Sequence, residues 1–180
     1  MIYADNAATT RLDTDAFEAM RPFLLEEYAN VSQPYLFSRN AKKALRDARS
    51  TIASCIGASA DEIYFTSGGT ESDNWAIKGL MRAGDTQLII TSQIEHHAVL
   101  NACLSVERMG IPVRRLPVSR EGIIEAELLQ ASISDQTKLV SVMLANNEIG
   151  TVEPVPALAE IAHKRGVLFH TDAVQASQLL

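Results

Sequence analysis

Four short stretches of this chain carry residues able to bind or hold charge. In VLFHTDAVQ, three apolar residues (Val167, Leu168, Phe169) lead to a lone acid, Asp172, with Gln175 three residues on. A carboxylate there can cap the next helix, or it can hold a cationic ring nitrogen through a charge-assisted bond of roughly 1.5–3 kcal/mol. In FTSGGTESDNWAIKG, Gly68, Gly69 and Thr70 open a helical pattern. Glycines let the backbone approach an anion, and a helix start offers N–H groups with partial positive charge, so this is a possible phosphate seat. An ordinary glycine turn with Thr70 as the helix cap fits the same residues. The segment lacks the Gly-Lys-Ser/Thr of a nucleotide loop and the G-x-G-x-x-G dinucleotide pattern. In QIEHHAVL, the adjacent His96 and His97 point in different directions and make a poor chelating pair. One such ring can lie flat on a planar ligand, or both can stand solvated at a helix start. In NNEIG, the amides of Asn146 and Asn147 can orient a ligand oxygen or simply build a turn.

These stretches need a scaffold, and the sequence between them alternates. EIYFTS, QLIITS, IPVRRLPV, KLVSVMLA and VLFHT read as strands. NAKKALRDARSTIASCIG, TESDNWAIKGLMRAG, HHAVLNACLSVERMG, EAELLQASI and PVPALAEIAHKRG read as helices. Such β-α alternation predicts a mostly parallel sheet covered by helices, with ligands bound outside the carboxyl ends of the strands. All four stretches follow predicted strands and so share one rim. Together they supply an anion seat, a stacking ring, amides and an acid. Those are the partners that pyridoxal phosphate requires at its phosphate, ring face, phenolic oxygen and pyridinium nitrogen.

The chain has 180 residues, a net charge of −6 and hydrophobic residues at 47%. An acidic chain with scattered Arg and Lys argues against nucleic acid and anionic membranes as partners. No stretch approaches the roughly 20 apolar residues of a membrane span, and the opening MIYADNAATTRLD lacks a signal-peptide pattern, so a cytoplasmic location is expected. Cys55 and Cys103 form neither a disulfide framework nor a metal pattern, and both read as small core residues on helices.

YADNAATT, FTSGGTESDNWAIKG, EHHAVL, NNEIGT and HTDAVQ, in this order and approximate spacing, resemble the cysteine desulfurases of the class V aminotransferase family. The branch they resemble serves nitrogenase maturation and iron–sulfur assembly. The resemblance covers essentially the whole chain. It implies the three-layer α/β/α large domain of fold-type I (aspartate aminotransferase-like) pyridoxal-phosphate enzymes over residues 16–180, preceded by a small-domain segment over residues 1–15. It further implies that Gly69 and Thr70 bind the phosphate, His96 stacks on the ring, Asn147 and Gln175 reach the phenolic oxygen, and Asp172 pairs with the ring nitrogen. Asn6 and Ala7 would lie on the substrate side.

The implied reaction converts L-cysteine to L-alanine with sulfur left as an enzyme-bound persulfide. The implied partners are a second copy of the chain and a sulfur-acceptor or scaffold protein. Selenocysteine lyase and other class V activities share the same cofactor frame, and a non-catalytic binding or dimerisation module is a further alternative. No metal is implied. The resemblance puts the Schiff-base lysine and the sulfur-accepting cysteine beyond Leu180, so no catalytic residue is expected within these 180 residues and the isolated chain is expected to be inactive. One stretch departs from the family's usual Asn-Pro-Ser-Ser-x-His-x-Phe-Gly pattern: in NVSQPYLFS the proline has moved to Pro34, Tyr35 stands where His is common, and Ser38 replaces Gly.

Overall fold

A computed structural model describes residues 2–176, which fall into two compact units divided between Phe65 and Thr66. In the first unit, helix α1 (Thr14–Leu25) starts where the Asp13 carboxylate accepts from the N–H groups of Asp15 and Ala16, at 2.8 and 3.0 Å. Sequence periodicity misses this helix. Pro22 interrupts its hydrogen-bond ladder and none of its residues is buried, so the usual apolar stripe gives little signal. In the atypical loop before the next helix, the buried Ser38 hydroxyl lies 2.7 and 2.8 Å from the carbonyls of Gln33 and Tyr35. Helix α2 (Arg39–Ile56) follows and ends, as predicted, at Gly57, whose φ of 68° is the left-handed cap conformation.

The strand expected over EIYFTS does not form. Glu62 closes a short 3₁₀ turn (Ala60–Glu62), and the residues after it pair with no strand among the described residues. A strand exists only where a neighbouring edge takes its N–H and C=O groups, which the local pattern of Ile63, Tyr64 and Phe65 cannot report.

The second unit is the α/β body. Helix α3 (Gly69–Lys78) precedes strand β1 (Leu88–Ser92), followed by α4 (His97–Glu107), β2 (Val113–Leu116), α5 (Ala126–Ser132), β3 (Thr137–Ser141), α6 (Val155–Lys164) and β4 (Leu168–His170). Among the described residues the sheet has four strands, all parallel, in the order β2-β1-β3-β4. Alternation along the strands divides the core in two. Leu88 and Ile90 of β1 and Val140 of β3 join Leu129, Leu158 and Ala162 from α5 and α6. Ile89 and Leu139 turn the other way, onto Ile77, Val99, Cys103 and Val106 from α3 and α4. Helices therefore cover both faces, giving the expected three layers. One bidentate pair braces the edge: Arg115 on β2 donates twice to Glu107 at the end of α4, each at 2.7 Å.

Candidate active site

The strand order creates the site. From β1 the chain steps to β2 on one side, then crosses back to β3 on the other, so the loops after β1 and β3 diverge and leave a crevice between them. A cleft of about 260 Å³ lies there, lined on one side by Glu95, His96, His97 and Leu100 and on the other by Asn146, Asn147, Glu148 and Ile149.

The two asparagines divide their work. Asn146 donates to the Ile94 carbonyl at 2.8 Å and accepts from the N–H groups of Glu148 and Ile149, so its amide ties the two loops together. Asn147 is exposed in the cleft wall. His96 is the N-cap of α4: its Nδ1 accepts from the Ala98 N–H at 3.1 Å, which directs a neutral ring's proton to Nε2. The ring of His97 stands nearly perpendicular to it, centroids 6.1 Å apart.

Beneath this rim sits an acid the sequence reading passed over. Glu95 is buried, and its Oε1 accepts from the Ser92 hydroxyl (2.6 Å) and from the Met143 N–H (3.0 Å), bridging β1 to the loop after β3. Its Oε2 is buried with no hydrogen-bond partner. Burial, with lesser contributions from Asp172 and Glu153, pushes its pKa up to about 7. Asp73, one helical turn beyond Gly69 and Thr70, is likewise buried with Oδ2 unpartnered. Burial, then the charge of Asp172, raises it to about 6.

Its neighbour is His170, whose Nε2 lies 3.6 Å from Asp73 Oδ1 and whose Nδ1 is hydrogen-bonded to the Ser141 hydroxyl at 2.8 Å. Burial holds the pKa of His170 below the usual range, so the ring is neutral at pH 7. The sequence held two faint signals for these residues. Asp73 follows Thr70 by three positions on one helix face, and His170 precedes Asp172 by two on a strand.

Asp172 itself is half-buried. Its carbonyl accepts from the Leu144 N–H (2.9 Å) and its carboxylate accepts from the Val174 N–H (3.0 Å), so it caps a turn, with no helix beginning there through residue 176. Gln175 is exposed in that turn. At the other end, α3 begins at Gly69 with Gly68 as its cap, so Thr70 sits inside the first turn and is not itself the cap. The first N–H groups of a helix have no intrahelical acceptor, which leaves those of Gly69 and Thr70 for an anion. Glu71 keeps its charge turned back on the loop, accepting from the N–H and hydroxyl of Ser67 at 2.6 and 2.7 Å, and these bonds lower its pKa.

The cleft wall thus brings together His96 and Asn147, while Gly69, Thr70, Asp172 and Gln175 belong to neighbouring turns outside that wall. Asn6 and Ala7 lie in an exposed turn of the first unit. Cys103 is buried, as expected of a core residue, and burial pushes its thiol up to about 11; Cys55 is exposed, contrary to the core reading, because it falls outside the buried face of α2. None of the five lysines lines the cleft.

Comparison with known proteins adds a consistent set of relatives. A family profile described as aminotransferase class-V matches residues 2–179. A protein named cysteine desulfurase IscS from Dictyoglomus turgidum is 49% identical over 176 residues, covering 97% of this chain and 45% of that protein. A cysteine desulfurase from Cereibacter sphaeroides is 50% identical over 178 residues, covering 97% of this chain and 46% of that protein. Among solved structures, one titled "SspA in complex with cysteine" superposes with a TM-score of 0.94 at 38% identity, over 97% of this chain and 51% of its own. A NifS-like protein gives 0.91 at 38% identity, over 96% and 48%. The chain spans about half the length of the curated relatives it matches.

Proposed function

The chain belongs to the class-V aminotransferase family, and from that premise we propose that the full-length protein is a pyridoxal-phosphate-dependent cysteine desulfurase. It removes sulfur from L-cysteine, leaving L-alanine and a persulfide on an enzyme thiol. The observation that carries this reading is a deficit of positive charge at the strand ends. Asp73 and Glu95 each keep one carboxyl oxygen buried without a partner, and both feel the charge of Asp172. A pyridinium N–H at Asp172 supplies the missing positive charge, so the residues present fit the cofactor.

In this reading Gly69 and Thr70 hold the phosphate through the first turn of α3, and His96 covers the ring with its Nδ1 already committed to Ala98. Asn147 and Gln175 take the phenolic oxygen, and Asp172 keeps the ring nitrogen protonated. The bound cofactor supplies an electron sink for bonds broken at the substrate's α- and β-carbons. Asn6 and Ala7 serve the substrate side. The lysine that holds the cofactor and the cysteine that accepts sulfur belong to the part of the relatives' length that this chain does not span. Cys103 is unsuited to that second role, because a buried thiol raised to about 11 is not the thiolate that attacks sulfur.

The proposal extends to a cytoplasmic homodimer that passes sulfur to an acceptor protein for iron–sulfur assembly. Exposed Phe17, Met20 and Leu24 on α1 support a subunit face on the first unit. The test is turnover. The full-length protein, given pyridoxal phosphate, L-cysteine and a thiol reductant, is expected to release alanine and sulfide in equal amounts. Cofactor binding without alanine production would overturn the desulfurase assignment.

A further inference from the structure

Helix α3 is braced against the end of β4 at two points. At the first, Gly69 lies under Val174: a Cβ built on Gly69 would come 2.4 Å from Val174 Cγ2. At the second, one turn along the helix, the buried Asp73 carboxylate packs against the ring of His170, Oδ1 3.6 Å from Nε2, a close contact longer than a hydrogen bond, while the other ring nitrogen is held by Ser141 on the neighbouring strand. The strand ladder runs on past β4, with the Val142 and Leu144 N–H groups donating to the carbonyls of His170 and Asp172 at 3.0 and 2.9 Å. His170 and Asp172 therefore share one face of an extended chain, and Asp73 and Thr70 share one face of the helix.

We propose that these two braces act as a spacer, setting the distance between the anion seat at Thr70 and the carboxylate of Asp172, and so select a ligand that carries an anion and a ring cation at one fixed separation. Asp73 and His170 are positioning residues in this scheme and touch no reacting atom. The inference rests on the cofactor reading above. It goes further in stating that affinity for the two-ended ligand depends on residues that contact neither end. Joining two weak sites by a rigid spacer multiplies affinity only while the geometry matches, so loosening the spacer penalises the joined ligand and spares its halves.

The experiment measures dissociation constants for pyridoxal phosphate, pyridoxal and inorganic phosphate on the cofactor-free full-length protein. Asp73→Ala is expected to weaken pyridoxal phosphate by about tenfold or more, with the other two ligands within about twofold of the parent protein. Asp73→Asn keeps an oxygen facing His170 and is expected to stay within about threefold for all three. If Asp73→Ala weakens all three ligands alike, the pair merely stabilises the fold and the spacer is overturned; unchanged affinity for pyridoxal phosphate overturns it equally.

The other brace gives an independent check should Asp73→Ala fail to fold. Gly69→Ala is expected to weaken pyridoxal phosphate, and Gly69→Ala with Val174→Ala to restore it. Failure of that rescue would mean that the added methyl blocks the anion directly, and the spacer falls. If the parent protein binds pyridoxal but gains nothing from the phosphate, the cofactor reading itself fails, a result distinct from any of the variant patterns.

Discussion

Replacing Asp172 by Asn should weaken pyridoxal phosphate binding by about 10- to 150-fold, the equivalent of one charge-assisted hydrogen bond of roughly 1.5–3 kcal/mol. The substitution separates two jobs of one side chain. The turn needs only an oxygen to accept from the Val174 N–H, which the amide oxygen supplies as well as a carboxylate oxygen does. The main chain stays anchored through the Leu144 N–H in either case. The ring nitrogen, by contrast, needs the negative charge to remain protonated, and turnover should fall together with affinity. Thermal unfolding of the cofactor-free protein is expected not to be lowered by Asn, which keeps the turn bond and removes the like charge that Asp73 and Glu95 feel, and to be lower for Ala than for Asn, because Ala loses the turn bond, worth about 1 kcal/mol. Asp172→Asn binding the cofactor as tightly as the parent protein would remove Asp172 from the site.

The second large effect concerns Glu95. Its native pKa of about 7 lies above the 4.5 of an unperturbed glutamate, so the native state holds its proton through a range in which the unfolded chain has released it. The unfolded state then binds fewer protons, and stability falls as pH rises between those two values. The contribution is complete below about pH 4.5 and is lost by about pH 7, amounting to up to roughly 3 kcal/mol. Asp73 and Glu153, also raised, add slopes of the same sign, while His170, lowered, opposes them as pH rises toward its unfolded value. The difference between the parent protein and Glu95→Gln isolates the one group. The glutamine oxygen can keep the bonds from Ser92 and Met143, and its NH₂ stands where the unpartnered Oε2 was. Denaturant unfolding of the cofactor-free protein should therefore show Glu95→Gln matching the parent near pH 4.5 and exceeding it by about 2–3 kcal/mol at pH 7.5. Parallel pH curves for the two proteins would mean that Glu95 is ionised throughout.

Much of this protein is determined by the order of its residues alone. Among the described residues, periodicity and glycine caps located five of the six α-helices and all four strands of the sheet, because those signals act between residues a few positions apart. The same short-range logic placed His96 and Asn147 after strands, at the rim where they line the cleft. Where a distant neighbour had to complete the pattern, local reading failed. EIYFTS has strand chemistry but no partner edge, and α1 has a cap but no buried stripe to mark it. Only the tertiary structure decided that Asn146 binds its own loops while Asn147 faces the cleft, and that Cys103 is buried while Cys55 is not. It alone disclosed Glu95, Asp73 and His170 as buried groups around Asp172. Glu95 depends on a backbone N–H 48 residues away, and His170 on a hydroxyl 29 residues away. Desolvation and charge coupling arise from what the fold packs around a group, and no spacing along the chain carries that information.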